Sequence, residues 1–262
     1  MLNLIEIFDQ QSLDSASLIK MKRRDFIGLS AIGILAINEL RGSALQLSFD
    51  RRDLLIGKSE DHLVGNSFKL HKQVKPAFDR MSQAAEEAGI KIEVVSAFRS
   101  FERQKQIFEG KYKRFTGQSL SPEEAIAKII EYSTIPGTSR HHWGTDIDLI
   151  DGNAPRPESV LEARHFHGEG PFCKFKEWMD KHAESFGFYE VYTDQAERKG
   201  FKYEPWHFSY APVSIDLLKA YRQLDIKQIM LEEEVLGATF FTDDFIEKYR
   251  QENVLDINPA LL

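Results

Sequence analysis

Three observations predict an α+β fold for this chain, with a small central antiparallel sheet flanked by helices. Segments with helical spacing or helix caps dominate the sequence, while apolar runs short enough to be strands are few and scattered between them. Strands and helices do not alternate in the regular βαβ order that a parallel sheet requires. A 262-residue chain that is 42% hydrophobic has ample apolar material for one large core. Residues 45–262 contain no repeat, low-complexity tract or long linker, so they read as one domain with a helical tail from about residue 213.

The first element, residues 1–44, is expected to be an export leader. From Met21 the chain runs through the basic cluster Lys22, Arg23, Arg24, then an uncharged stretch from Phe26 to Ile37, then Gly42 and Ala44. That is the order of a secretory signal, and the paired arginines resemble the twin-arginine export motif. The apolar stretch is shorter than the about 20 residues that span a bilayer, so no permanent transmembrane helix is expected. Residues 1–20 sit upstream of where such a signal normally opens, which suggests Met21 as the true start. A buried helix is the competing reading of 26–37.

In "SFKLHKQVKPAFDRMSQAAEEAG", Leu70, Val74, Phe78 and Met81 fall at amphipathic-helix spacing, with Gly89 as the stop. "IKIEVVSAF" then reads as a short buried strand. Ser100 is a candidate N-cap for "SFERQKQIFEGKYKRF", and Ser121 with Pro122 opens another helix in "SPEEAIAKIIEY". "GPFCKFKEWMDKHAESFGF" gives a helix ending near Gly187, and the chain after Pro212 looks helical in two or three pieces.

Charge and cysteine usage restrict the chemistry. The net charge of −7, with no basic run in the body of the chain, argues against a nucleic-acid partner. The single cysteine, Cys173, excludes an internal disulfide framework and any zinc site built from several thiolates. A metal would have to be held by histidine and carboxylate.

Two motifs supply those groups. In "SRHHWGTDIDL", His141 and Asp148 would point to opposite faces of one continuous strand, so the segment must bend. Gly144 can supply the bend, after which Asp146 and Asp148 share one strand face and Ile147 and Leu149 the other. In "YEPWHFSY", Pro205 argues against a helix interior or a central strand at that point. Glu204, three residues before His207, could then stand beside a metal-bound water while the histidine holds the metal. Two histidines and a carboxylate would leave a tetrahedral zinc ion one open position, as catalytic sites do.

The pattern Ser139-x-His141-x-x-Gly144-x-x-x-Asp148, followed by Glu204-x-Trp206-His207, resembles the VanY-type D-alanyl-D-alanine carboxypeptidases. These belong to the zinc peptidase superfamily that includes lysostaphin-type enzymes and the hedgehog signalling domain. The upstream "SAFRSFERQ" is similar to that family's Ser-x-aromatic-Arg-Ser stretch and following glutamine. The resemblance runs from about Asp53 to Pro212.

It implies that His141, Asp148 and His207 bind one zinc ion and that Glu204 is the general base. It further implies that Arg99 grips the substrate's terminal carboxylate, with Ser139 and Gln104 adding hydrogen bonds. The implied activity is a D,D-carboxypeptidase that hydrolyses the terminal D-alanine of peptidoglycan stem peptides; the export leader leads us to expect it in the periplasm, and the chain is expected to be a monomer. The rival readings are an L,D-carboxypeptidase acting on tetrapeptide stems and a non-catalytic zinc-containing binding module. The last would be marked by a missing base or arginine, and both Glu204 and Arg99 are present.

Asp146 departs from the resembled pattern, which has a small residue there. It is expected either to orient a ligand or face solvent, the favoured readings, or to compete for the metal. His142 needs no metal, and His165, His167 and His182 are expected to be surface or hydrogen-bonded residues. Trp206 is expected to pack, and the competing role for Arg99 is a salt bridge to a helix end.

Overall fold

In the computed structural model, which describes residues 51–262, the chain enters a two-stranded hairpin, β1 (Leu63–Val64) and β2 (Leu70–His71), paired antiparallel. The export leader expected over residues 1–44 lies outside the described residues. Helix α1 (Lys75–Glu87) follows, with proline in its first turn. The amphipathic spacing therefore overreached at its start. Leu70 lies in a strand because its neighbour His71 donates its backbone N–H to Gly144 O at 2.8 Å, a long-range bond that local periodicity does not register.

Strand β3 (Ile92–Ser96) leads to α2 (Phe101–Thr116), where the Ser100 side chain accepts from Arg103 N. Helix α3 (Pro122–Ile130) opens with a full capping box between Ser121 and Glu124, which satisfies two otherwise unpaired N–H groups. A 3₁₀ turn at Arg140–Trp143 runs through Gly144 into β4 (Asp146–Asp151). Then come α4 (Cys173–His182), β5 (Phe188–Glu190) and β6 (His207–Tyr210). The tail carries α5 (Ala211–Tyr221), α6 (Ile226–Glu232) and α7 (Asp243–Tyr249).

The main sheet is antiparallel in the order β3-β4-β6-β5. β3 is thus an edge strand, and its residues are half-buried rather than buried as its composition suggested. The strand period separates two environments. Ile147, Leu149 and Phe208 enter an apolar core with Phe78, Met81 and Phe175 from α1 and α4. Asp146, Asp148, His207 and Ser209 occupy the alternate positions and face the other way. A second core, built by α2, α3 and the tail, packs Phe101, Phe108, Ile129, Met230 and Phe241 together.

The tail therefore caps this second core, and it also braces the loop leading to the first motif. The Tyr249 hydroxyl accepts from Ile135 N at 3.2 Å and pairs with Thr138 Oγ1 at 2.8 Å, all of it buried. Tyr249→Phe is expected to lower unfolding stability by about 1–2 kcal/mol, since it leaves two buried polar groups short of a partner. Urea denaturation of the two proteins measures this, and an unchanged midpoint would show that the loop does not depend on the tail.

Candidate metal centre and substrate cleft

The 3₁₀ turn brings His141 beside the sheet because Gly144 closes it in a left-handed conformation, φ +66°. A side chain there would clash as well as strain the backbone. A Cβ would lie 2.5 Å from Leu63 Cδ2 and 2.8 Å from His71 N. Asp148 and His207 are direct cross-strand partners on β4 and β6. His141, Asp148 and His207 each offer a donor atom, and all three atoms lie within 4.8 Å of one another in a buried setting. Among the described residues no other group of three His, Cys, Asp or Glu side chains is gathered this way.

Hydrogen bonding sets which ring nitrogen each histidine presents. His141 Nδ1 donates to Ala97 O at 2.8 Å, which leaves Nε2 as the nitrogen facing Asp148 Oδ2, 3.5 Å away. His207 Nε2 donates to Asp146 Oδ2 at 3.1 Å, and Nδ1 lies 3.8 Å from Asp148 Oδ1. Asp148 Oδ1 is buried with no hydrogen-bond partner among the described residues. A buried carboxylate with one oxygen unpaired, set between two imidazole rings, is costly in a purely structural cluster, but it suits a cation with nitrogen and oxygen ligands. The donor set therefore fits zinc.

Charge follows the same layout. Burial would raise the Asp148 carboxyl, but His141, His207 and Arg99 hold it below its ordinary value. Burial would lower His207, yet its bonds to Asp146 and Glu204 and the nearby Asp148 raise it to about 10. In the metal-free protein this ring is therefore an imidazolium held between carboxylates.

A cleft of about 190 Å³ opens onto these groups, lined by Arg99, Ser139, Tyr192, Glu204 and Trp206 besides the three donors. Glu204 Oε2 is 2.9 Å from His207 Nδ1, and its side chain is 30% exposed, the most accessible acid at the centre. Arg99 is held by Nη1 donating to Gln104 Oε1 at 3.1 Å and Nη2 donating to Ser96 Oγ at 3.3 Å. Burial lowers its pKa, an effect opposed by the nearby Asp148 and Glu204 charges. Among the described residues it forms no salt bridge to a helix end. A larger trough of about 1030 Å³ runs along β3 and shares Arg99 with the cleft, but it contains none of the three donors.

Gln104 is placed differently from expectation. It is fully buried, its amide donates to Thr134 O at 2.7 Å, and its carbonyl oxygen serves Arg99, so it does not line the cleft. It positions the arginine instead of touching a ligand. Asp146 is fully buried, which overturns a solvent-facing role. His142 is also fully buried, with Nδ1 donating to Arg99 O at 2.6 Å and Nε2 accepting from Gly137 N at 3.1 Å. Trp206 packs against Phe166 with the rings tilted and their centres 5.7 Å apart, and its carbonyl accepts from Leu149 N.

Arg140, Ser209 and Tyr192 escaped the sequence reading. Ser209 was within reach, because it lies two residues from His207 on a strand and so shares its face. Tyr192, whose ring meets His207 edge-on at 5.1 Å, sits in a loop with no periodic signal.

Buried neutral histidines give this fold an acid limit. Burial lowers His142 to about 3, and burial with the neighbouring His71 lowers His62 to about 4. Both lie below the unfolded value of about 6.5, so the unfolded chain takes up their protons first. Their contribution is complete above about pH 6.5 and is lost as pH falls toward 4 and then 3. Glu190, raised by burial to about 6, acts in the opposite sense between pH 6 and 4.5 but is one group against two. Thermal unfolding of the metal-free protein should show a midpoint that falls steadily below pH 6.5. A flat profile down to pH 4.5 would contradict it.

Residues 67–213 match the family model VanY, described as D-alanyl-D-alanine carboxypeptidase. A D-alanyl-D-alanine carboxypeptidase of Enterococcus faecalis is 26% identical over 151 residues, 57% of this chain and 51% of that protein, so the match spans about half of its length. An uncharacterized protein of Haemophilus influenzae is 31% identical over 106 residues, 40% of this chain and 81% of that protein. The solved structure of VanYB in complex with D-Alanine-D-Alanine is 24% identical, with a TM-score of 0.45, covering 62% of this chain and 82% of that one. The family match takes in Arg99, both metal-donor motifs and Glu204, and covers more than half of the sequence: the chain belongs to the VanY D-alanyl-D-alanine carboxypeptidase family.

Proposed function

We propose that this protein is a zinc-dependent carboxypeptidase that hydrolyses the terminal D-alanine of peptidoglycan stem peptides after export to the periplasm. In this reading residues 1–44 are the leader and 45–262 the catalytic domain. The observation that carries it is one cleft lined by the His141, Asp148, His207 donor set, the accessible Glu204 carboxylate and the Arg99 guanidinium.

His141, Asp148 and His207 would hold the ion. Zinc held by these residues would supply a water of lowered pKa, about 7, and a Lewis acid for the scissile carbonyl. Glu204 Oε2 takes the proton from the attacking water and returns it to the departing amine nitrogen. Arg99, pre-set by Ser96 and Gln104, uses its remaining N–H donors to bind the free carboxylate of the terminal residue. That selects the end of a peptide over an internal bond, because only the end carries this charge. Ser139 would add a hydrogen bond to substrate, a role supported by its position in the lining of the cleft. No helix of the described residues is long and apolar enough to cross a membrane.

The test is release of free D-alanine from defined muropeptides, pentapeptide and tetrapeptide side by side, by zinc-loaded protein. Release from the pentapeptide alone establishes D,D-specificity, and release from the tetrapeptide makes the enzyme an L,D-carboxypeptidase. If neither is cut, the catalytic reading fails and a zinc-containing binding module replaces it.

A further inference from the structure

We propose that Asp146, clamped by Arg140, Ser209 and Thr145, is a positioning residue that locks the His207 ring so that Nδ1 is the nitrogen offered to the metal. The inference rests on the zinc-dependent reading above, but it concerns how this chain builds the site rather than what the site hydrolyses.

Asp146 is completely buried and accepts four hydrogen bonds. Oδ2 accepts from Arg140 Nε at 2.7 Å and from His207 Nε2 at 3.1 Å. Oδ1 accepts from Ser209 Oγ at 2.6 Å and from Thr145 Oγ1 at 2.8 Å. Its acceptor capacity is thereby used, which leaves it no open lone pair to compete as a ligand. Arg140 is itself fixed, because Nη2 donates to Ser209 Oγ at 2.8 Å and the guanidinium lies over Trp143 at 5.0 Å from the ring centre. The clamp ties the 3₁₀ turn, β4 and β6 together through the cross-strand pair Asp146 and Ser209, adjacent to the pair Asp148 and His207.

An imidazole presents a different nitrogen when its ring turns over, and a hydrogen-bond partner on the opposite nitrogen opposes that. His207 meets carboxylates on both sides, and the two differ in freedom. Asp146 is buried and held by four hydrogen bonds, whereas Glu204 is part-exposed and lines the cleft. The fixed bond is therefore Nε2–H to Asp146, and Nδ1 is the atom free to exchange Glu204 for a cation. His141 reaches the same end by a different device, a backbone carbonyl on Nδ1 that leaves Nε2 free. The two histidines thus address the ion through different nitrogens, one set by the main chain and one by a buried ion pair.

The test compares the full-length parent with the double variant Arg140→Met/Asp146→Ala and the single variant Asp146→Asn. Removing both charges together avoids stranding a buried arginine and is often tolerated by the fold. The expected result for the double variant is an about 10–100-fold weaker zinc affinity by chelator competition, with the metal-free protein still folded but at a lower thermal midpoint, because Ser209, Thr145 and the His207 Nε2–H lose their buried acceptor. The visible absorption bands of the cobalt-substituted protein should also shift, a signature that loosened packing elsewhere would not produce. Asp146→Asn, which keeps the volume, should show a smaller change in the same direction and decides the matter if the double variant does not fold. Zinc affinities within about twofold of the parent and superimposable cobalt spectra would overturn the proposal. A parent that binds no zinc would defeat the functional reading itself, and a parent that binds zinc without releasing D-alanine would defeat only the hydrolytic part of it.

Discussion

Glu204→Gln is expected to reduce kcat for D-alanine release about 10³-fold while leaving zinc content and thermal stability near those of the parent. General acid–base groups contribute roughly 10²–10⁴ in rate, and a 10³-fold loss corresponds to about 4 kcal/mol of transition-state stabilisation. The expectation follows from position. Glu204 is part-exposed in the cleft, 2.9 Å from His207 Nδ1 and outside the set of three donors. The amide matches the carboxylate in shape but cannot take a proton, so binding of the terminal carboxylate by Arg99 should survive and KM should change little. Steady-state kinetics on a defined muropeptide, beside metal analysis of the same preparation, checks both halves. A loss of less than about tenfold would mean that another group accepts the proton.

Loss of a metal donor should act more broadly. His141→Ala is expected to weaken zinc binding by more than about 10³-fold, beyond the 10–100-fold that follows loss of an outer hydrogen bond, and to abolish measurable hydrolysis. His141 Nδ1 is committed to Ala97 O, and among the described residues no histidine or cysteine beyond His141 and His207 joins the donor cluster. Chelator treatment of the parent should reproduce the loss of activity, and a single equivalent of zinc should restore it. Hydrolysis that persists in His141→Ala after dialysis against chelator would remove the metal from the mechanism. The two substitutions are distinguishable by metal content alone, because Glu204→Gln keeps the ion and His141→Ala does not.

Much of the fold was legible because its signals are local. Ser100 and Ser121 cap α2 and α3 as their sequence positions require, and both caps satisfy N–H groups within three residues. The bend at Gly144 and the alternation of Asp146, Ile147, Asp148 and Leu149 were also readable, since a strand's period is fixed by its own backbone. What failed was decided at a distance. Leu70 left the helical pattern for a strand bonded to Gly144, and β3 became a half-buried edge. Gln104 was drawn into the interior by the carbonyl of Thr134, thirty residues away.

The same division runs through the site. Which residue types are present, their order and the face each strand position occupies are properties of the sequence, and these sufficed to single out His141, Asp148, Glu204 and His207. The family resemblance added Arg99 and Ser139. Tertiary structure decided which nitrogen each histidine presents, what fixes Arg99, and that Asp146 is a buried clamp joined to Arg140 and Ser209. Those outcomes depend on hydrogen bonds between segments up to 69 residues apart in the chain. Their strength comes from burial, which exists only once the sheet and the two cores have formed around them.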